Sequence, residues 1–287
     1  MMMVLTSVLF GVVGPALVAA FVLFASHLIS RRGETPPAYD WGLPPAVGLG
    51  YLAGHFAIAW PSSDVTDRIP WLVAGAIVLG IFEAARPTPR WVRGENGLIF
   101  TLAVLLVMLG PAIQETWGTR EANLWLAALG AIVLVAWINL EALAARLKGS
   151  ALMVPLLAWV GGAGAVLLLS GSMVLGRLGG ALASALLGAW LVSRRNSPIN
   201  VARGTIPVIA VTIASLLLEG HVYAQAAQAG VALVAIAPLL LWITRIGPIR
   251  NGRPWVAALI GTVLVLIPIG VALGMAIAAD MGDASEY

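Results

Sequence analysis

The sequence contains no cysteine and few charged residues. Only 10% of its 287 residues are Asp, Glu, Lys or Arg, whereas soluble domains carry roughly 25%. The absence of cysteine excludes disulfides, thiol catalysis and cysteine-ligated metals, although it leaves the redox compartment open. No polar stretch is long enough to form a soluble domain. These shortages indicate a chain that is solvated mainly by lipid.

Lysine is almost absent, since Lys148 is the only one and arginine supplies the rest of the positive charge. The arginines stand in short loops between apolar runs, where basic residues set membrane topology, so we expect no nucleic-acid binding. The sequence also lacks a P-loop, an HExxH motif and a Ser/His/Asp arrangement. We therefore expect no enzymatic activity, no cofactor and no bound metal.

Long apolar runs occupy most of the chain, of which 60% is hydrophobic. A membrane-spanning helix needs about 20 predominantly apolar residues. By that measure the sequence predicts an all-α polytopic membrane protein with about ten transmembrane helices. The predicted spans are 4–29, 42–61, 69–86, 97–116, 122–146, 151–170, 173–193, 204–220, 223–245 and 254–279.

The loops between these spans alternate in charge. Arginine is concentrated in the loops after spans one, three, five, seven and nine, whereas acidic residues favour the opposite loops and the C-terminal tail. The positive-inside rule therefore places the odd loops in the cytoplasm and both termini outside. The run 4–29 lacks a positive n-region and is too long for a signal peptide, so we expect a retained first span. The predicted location is the cytoplasmic (inner) membrane of a bacterial type of cell.

Two parts of the sequence repeat at an offset of 130 residues. The stretches 50–60 and 180–190 both read G-x-L-A-small-x-x-x-x-A-W, and a second matching pair begins at Trp125 and Trp255. Five spans per half invert the second copy, so we predict a five-plus-five inverted repeat of residues 1–149 and 150–287. Such repeats are typical of secondary transporters. Chance similarity between helices rich in Ala, Leu, Gly and Val is the alternative.

Small residues recur at every fourth position in spans two and seven. This spacing places them on one ridge of each helix, where a neighbouring helix can approach closely. We expect the two spans to form a sliding seam between the halves. The predicted ridge residues are Gly42, Ala46, Gly50 and Gly54, followed in the second copy by Ser172, Gly176, Gly180, Ser184 and Gly188.

Polar residues are rare inside the predicted spans. A charged group at the bilayer centre costs roughly 2.5–3.5 kcal/mol on insertion scales, so each one is a functional candidate. The candidates for a substrate or proton pathway are His27, His55, Glu83, Asn139, Glu141 and Glu219. Among them, His27, Glu83 and Glu141 are predicted to lie at similar depth, where they could bind a proton or cation if their helices are neighbours. Their spacing on three separate helices argues against a metal.

Three of these candidates, Glu83, Glu219 and His55, also have a purely structural interpretation. Glu83 and Glu219 stand within about a turn of a helix end, where a carboxylate can reach headgroups or water. Glu83 is three residues before Arg86, a spacing that suits an ordinary surface ion pair. His55 is a lone histidine among apolar residues, which favours a hydrogen bond to a neighbouring helix over catalysis.

Two functions fit these observations. The first is a secondary transporter, or permease, that moves a small apolar, zwitterionic or lipid-like solute by alternating access. The second is a non-catalytic structural subunit of a larger membrane complex, which would present its ridges to partner subunits or to a second copy. A transporter needs a solvated pocket between the halves, whereas a structural subunit needs none. Membrane lipids are expected partners in either case.

Overall fold

A computed structural model describes residues 9–30, 41–59, 64–86, 88–115, 118–147, 149–194, 204–246 and 254–283. Within these ranges the chain is helical and contains no strand. The ten helices are α1 (Gly14–Ser30), α2 (Leu43–Ala59), α3 (Ile69–Ala85), α4 (Arg90–Glu115), α5 (Thr119–Ala144), α6 (Ser150–Leu169), α7 (Met173–Ser193), α8 (Thr205–Val222), α9 (Gln228–Ile236) and α10 (Pro254–Asp283).

Each predicted span overlaps one of these helices. In the described ranges, nine helical segments are long and apolar enough to cross a membrane, and α2 is a shorter apolar helix of 17 residues. Large apolar side chains are exposed along the outside of the bundle, among them Phe21, Ile132 and Leu266. Such a surface is stable in lipid, since every backbone polar group of a helix is satisfied internally. The chain is therefore an all-helical, multi-pass membrane protein.

Three short helical segments complete the described structure. A π-helical turn at Leu9–Val13 leads into α1, and a 3-10 helix at Val65–Arg68 leads into α3. A second 3-10 helix, Ala237–Arg245, continues α9. The change from α to 3-10 geometry coincides with Pro238, because proline lacks an N–H and its ring crowds the preceding turn. Span nine is thus interrupted at a proline, whereas α4 continues through Pro111.

The start of α4 differs from the prediction by seven residues. The apolar run begins near residue 97, but the helix begins at Arg90. Its polar first turns are stabilised by contacts that hydropathy does not report, since Asn96 binds Glu83 on α3 and Arg93 binds Glu141 on α5. The most polar part of a predicted loop is therefore helical.

Helix α8 lies at the centre of the bundle. It packs against α2 through α7 and against α9, and 83% of its residues are buried, the largest share of any span. The helices α1, α2 and α7 form a mutually packed group on one side of it, while α6 joins α7 to α10 on the other. The core thus crosses the boundary between the first and second halves of the chain.

Helix packing matches the predicted inverted repeat only in part. The pairs α1–α2 and α6–α7 correspond, as do α4–α5 and α9–α10, and α2 packs on its counterpart α7. However, α6 packs closely on α10, and the corresponding α1 and α5 are not a closely packed pair in the described residues. The repeat of units 1–149 and 150–287 therefore stays a prediction.

Candidate functional site

The two ends of the bundle carry different polar residues. We call the end that holds Asp64, Ser172 and Glu219 the Glu219 end, and the opposite end, which holds Glu83 and Arg93, the Glu83 end. Helices α2 and α8 both run from the Glu83 end to the Glu219 end. Their starts adjoin the same glycine of α3, Gly80, and their C-terminal residues line the same cavity.

A polar cavity of about 1040 Å³ opens at the Glu219 end. Residues from both halves of the chain form its wall. The first half contributes Ile58, Ala59, 64–68 and Pro111, and the second contributes Ser172, Val174, Leu175, Glu219, Tyr223 and Ala224. Apolar side chains such as Ile58 and Leu175 form part of this wall. Its charged residues are Asp64, Asp67, Arg68 and Glu219.

Glu219 is the most enclosed of these charged residues, with only 6% of it exposed. The hydroxyl of Thr66 donates a hydrogen bond to its Oε1 atom. Its Oε2 atom is buried and has no hydrogen-bond partner among the described residues. Because Thr66 belongs to the 3-10 helix Val65–Arg68, this bond joins the loop between α2 and α3 to the end of α8. Arg68 adds a second link, since it donates to the carbonyl of Val107 on α4 at 2.9 Å.

His55 lies one turn of α2 below the cavity and is completely buried. Its Nδ1 atom is 3.3 Å from the hydroxyl of Tyr51 on the same helix, whereas the sequence suggested a partner on a neighbouring helix. Its Nε2 atom has no hydrogen-bond partner among the described residues. The Tyr51 hydroxyl is within electrostatic range of Glu219, so these residues share one polar region of the core.

The register between α2 and α8 places more polar groups in this region. A Cβ atom added at Gly48 would lie 3.6 Å from Val208. His55 and Ser215 each follow that contact by seven residues, and because the two helices run in the same direction they reach the same level. Ser215 is fully buried, and its hydroxyl has no hydrogen-bond partner in the described structure. Ser215 and Glu219 share one face of α8, since they are four residues apart.

The first copy of the small-residue ridge packs α2 closely on α7 and α1. A Cβ atom at Gly50 would lie 2.8 Å from both the Ala185 Cβ and the Pro15 carbonyl oxygen, and one at Gly54 would lie 2.6 Å from the Ala181 Cβ. Larger residues do not fit these positions. Gly42 and Ala46 are buried at the start of the same helix.

The second copy of the ridge is divided among several neighbours. Gly176 packs on α6, where an added Cβ would be 3.0 Å from the Gly164 carbonyl, and Gly188 packs on the backbone of Ala16 in α1. Ser172 caps α7, and Ser184 donates to the Gly180 carbonyl of its own helix. Gly180 itself has no atom within 4 Å of an added Cβ. The residues of α7 that face α2 are Ala181 and Ala185, one position along from the predicted ridge.

Polar side chains at the Glu83 end bind one another. Asn96 donates to Glu83 at 2.9 Å, and Arg93 forms an ion pair with Glu141 at 3.4 Å. Glu83 is only 3% exposed, and Glu141 is within electrostatic range of it. These four residues, Glu83, Arg93, Asn96 and Glu141, form what we call the Arg93 cluster. It joins α3, α4 and α5.

The backbones of α3 and the start of α8 also meet at this end. A Cβ atom at Gly80 would lie 2.8 Å from the Pro44 Cβ and 3.2 Å from the carbonyl carbon of Gly204. Gly204 adopts a φ of +82°, a conformation that residues other than glycine rarely adopt. The Glu83 end is therefore tightly packed, both by side chains and by backbone.

Two predicted candidates lie apart from the Arg93 cluster. His27 is on α1, which packs on α2 and α7 rather than on α3 or α5. Asn139 is buried on α5 and accepts a hydrogen bond from the Trp242 indole of the 3-10 segment. In the part of the chain that the structure describes, no three His, Asp or Glu side chains are grouped to hold a metal ion.

An apolar groove of about 190 Å³ lies between α5, α8 and α9. Three tryptophans line it together with aliphatic residues: Trp125, Trp137 and Trp159. Its polar residues, His221 and Gln228, both stand toward the Glu219 end. The Trp159 indole donates to the Val234 carbonyl at 2.8 Å, so its polar atom is satisfied while its ring faces the groove.

Sequence reasoning missed several polar partners. Asn96 and Thr66 fall in segments that resemble ordinary loops, where polar residues carry no functional signal. Tyr51 and Ser215 lie inside spans, but their side chains are uncharged. The free-energy cost of charged groups in a bilayer therefore did not select them as candidates. No protein-family model, curated protein or solved structure matches the chain. Function is therefore inferred from its residues and geometry alone.

Proposed function

We propose that this protein is a secondary transporter that moves a small solute by alternating access. The observation that carries the proposal is the difference between the two ends: a polar cavity separates the halves at the Glu219 end, while the Glu83 end is packed. Alternating access requires a pathway that is accessible from one side at a time. In this interpretation the structure is open toward the exterior, with both termini outside the cytoplasmic membrane.

The packing of α2 on α7 supports a sliding motion. Gly50 and Gly54 meet Ala181 and Ala185, so the contact consists of small residues without interlocking long side chains. Such surfaces allow backbones to approach closely and offer little resistance to a shift of one helix along another. The contact between α2 and α7 can therefore act as a sliding seam between the two halves of the chain.

The cavity favours a zwitterionic or partly apolar solute. Its wall combines Arg68 with the carboxylates of Asp64, Asp67 and Glu219, and Ile58, Val174 and Leu175 add apolar surface. Both signs of charge are thus available beside an apolar wall. At about 1040 Å³, the cavity is at the upper end of the usual range for small-molecule pockets, roughly 300–1,000 Å³. A structural subunit, the alternative, has no use for a polar cavity of this size.

Cysteine accessibility tests this proposal, and the chain has no native cysteine to remove. Ala59→Cys places a thiol in the cavity wall, and Ala84→Cys places one beside Glu83, where the native residue is 4% exposed. Phe21→Cys on the lipid-facing side of α1 is the matched control. Each variant is reconstituted in vesicles and treated with a membrane-impermeant maleimide from either side, with zwitterionic or apolar test solutes.

A transporter is expected to show opposite responses at the two thiols. A solute that lowers the labelling rate at Ala59→Cys should raise the rate at Ala84→Cys from the other side, while Phe21→Cys stays unlabelled. Constant labelling of Ala59→Cys with complete protection of Ala84→Cys under every condition would contradict alternating access. That result would favour the structural-subunit alternative.

A further inference from the structure

Three buried polar atoms between α2 and α8 have no use in the scheme above. They are the Nε2 atom of His55, the hydroxyl of Ser215 and the Oε2 atom of Glu219, and none has a hydrogen-bond partner among the described residues. His55 and Ser215 are fully buried, and Glu219 is more than nine-tenths buried. Polar groups buried in this way are normally paired. Three of them on two adjoining helices indicate a site that binds something.

We infer that His55 and Glu219 form a proton-binding site between α2 and α8, through which proton movement is coupled to the transport cycle. The inference rests on the proposed transport function, and it adds the identity of the coupling ion. The site adjoins the cavity through Glu219 and extends toward the core through Ser215 and His55.

The chemistry of the site favours a proton over a metal cation. Hard cations such as Ca²⁺ and Mg²⁺ prefer several oxygen ligands, and by the same preference Na⁺ would gain little from an imidazole nitrogen. Imidazole is instead the side chain best suited to take up and release protons near neutral pH. In the described part of the chain, no group of three His, Asp or Glu residues could hold a metal ion.

The proton path follows from the order of the groups. Water in the cavity delivers a proton to the Glu219 carboxylate, which becomes a neutral carboxylic acid. The proton then passes to Nε2 of His55, directly or through the Ser215 hydroxyl, which accepts one proton as it gives up its own. Glu219 returns to a carboxylate as His55 becomes an imidazolium. The loaded pair therefore carries one negative charge fewer than the empty pair.

Tyr51 keeps His55 in place in both states. Its hydroxyl accepts from Nδ1–H both in the neutral ring, whose Nε2 is then free to take the proton, and in the imidazolium. The 3.3 Å contact thus survives the change in charge. Thr66 holds Glu219 in place in the same way. Its hydroxyl donates to Oε1 of Glu219, and Oε2 remains available to take up the proton.

Other charged groups near this end are few. Asp64, Asp67 and Arg68 line the same cavity as Glu219, and Arg68 donates to the Val107 carbonyl. Tyr223 also lines the cavity, and its hydroxyl donates to the Met108 carbonyl. The other Asp, Glu, Arg and His residues with described side chains near this end lie outside the cavity wall: Arg120 and Glu121 at the start of α5, Arg177 in the first turns of α7 and His221 near the end of α8. The pH response expected of the site therefore arises mainly from His55 and Glu219.

The first test observes the proton on His55 directly. The chain has three histidines, so the variant His27→Gln/His221→Gln leaves only His55 to be seen by ¹⁵N-histidine NMR in lipid bilayers. As the pH is varied from about 4 to 9, which brackets the range over which histidine titrates, we expect the ring nitrogens to change protonation state. Glu219→Gln should displace the midpoint by about one pH unit, because coupled groups share their titration steps.

The second test reads the effect of the proton on conformation without needing a known solute. The thiolate is the reactive form of cysteine, so the maleimide labelling rate at Ala59→Cys is divided by the rate of a free model thiol at the same pH. This corrected rate should change severalfold with pH, and His55→Gln or Glu219→Gln should abolish that change. His27→Gln and His221→Gln, which replace the other two histidines, should retain it. Tyr51→Phe keeps the imidazole and should alter only the midpoint, which guards against a His55 variant that fails to fold.

Three results would overturn the inference. His55 nitrogens that do not titrate over the whole range would exclude it as the proton acceptor. A pH response that survives in His55→Gln, or a labelling rate that follows Na⁺ concentration at fixed pH, would assign the coupling elsewhere. Failure of the transport proposal is recognised separately, since Ala84→Cys would then stay protected whether or not His55 binds a proton.

Discussion

Each end of the bundle contains a buried glutamate near a helix end, but the two glutamates have different neighbours. Glu83 and Glu219 each lie near the end of a helix with Ile-Pro in its first turn, and both are almost completely buried. Glu83 receives a hydrogen bond from an amide and has an arginine within electrostatic range. Glu219 receives one hydroxyl bond and faces a cavity. Whether such a carboxylate adjoins a cavity is thus determined by the loop or helix that meets it, not by its own position in the span.

The largest expected effect comes from separating the backbones at the Glu83 end. Gly80→Leu forces a side chain against Gly204 and Pro44, and such overpacking should lower the free energy of unfolding by about 3 kcal/mol. Thermal unfolding in detergent measures the loss. Gly180→Leu is the matched control, since nothing lies within 4 Å of a Cβ added there. Equal losses for the two variants would show that backbone contact does not hold this end together.

The Arg93 cluster offers a second way to change the packed end. Arg93→Leu leaves the Glu141 carboxylate without its ion pair. Breaking a fully buried pair costs about 3–5 kcal/mol, and because these side chains are 22% and 12% exposed, we expect a loss of about 2 kcal/mol. The variant should also raise maleimide labelling at Ala84→Cys.

The double variant Arg93→Leu/Glu141→Leu separates pairing from packing. It removes both charges, so its loss of stability should be smaller than that of Arg93→Leu alone. A double variant that is less stable than the single variant would mean that these side chains act by packing rather than by charge.

At the Glu219 end, Thr66→Val removes the hydrogen bond to Glu219 and preserves the shape of the side chain. Because the carboxylate then remains buried without a donor, the free energy of unfolding should fall by about 1 kcal/mol, and labelling at Ala59→Cys should change. Thr212→Val is the control, since the Thr212 hydroxyl binds only the Val208 carbonyl of its own helix. If Thr212→Val changes stability and labelling as much as Thr66→Val does, the hydrogen bond from Thr66 to Glu219 has no special role.

The smallest effect is expected for Asn96→Ala. Glu83 loses its amide donor but keeps Arg93 within electrostatic range, so the loss should be about 0.5 kcal/mol. Chemical unfolding of this variant and of Thr66→Val under identical conditions compares the two carboxylates directly. If Asn96→Ala is the more damaging variant, Glu83 depends on its amide partner more than Glu219 depends on its hydroxyl.

The sequence alone predicted the helices well because the bilayer imposes their length and their composition. It misplaced the start of α4 because Arg93 and Asn96 are polar residues that a membrane scale counts as loop, whereas their partners on α3 and α5 stabilise them in a helix. The break near Pro238 has a local cause, because proline lacks the backbone N–H that an α-helix needs. Properties that depend on neighbouring residues in the sequence could be predicted, whereas contacts between helices could not.

The candidate site was predictable only as a set of separate residues. The cost of polar groups in lipid selected His55, Glu83, Glu141 and Glu219. This cost did not reveal their hydrogen-bond partners. Thr66 is 153 positions from Glu219 in the sequence, and an apolar helix face does not specify which helix packs against it. The residues of α7 that face α2 lie one position after the predicted ridge for the same reason. Glycine and alanine both allow close approach of two helices, and only the packing of the whole bundle selects between them.

The central position of α8 has a consequence for how the protein is made. Membrane helices enter the bilayer in sequence order and associate afterwards, so α2 to α5 are inserted well before the helix that they surround. Until residues 205–222 emerge from the ribosome, the inner faces of four earlier helices have only lipid or insertion chaperones to cover them. A nascent chain that stops short of α8 therefore lacks the helix that covers polar residues such as His55 in the finished bundle.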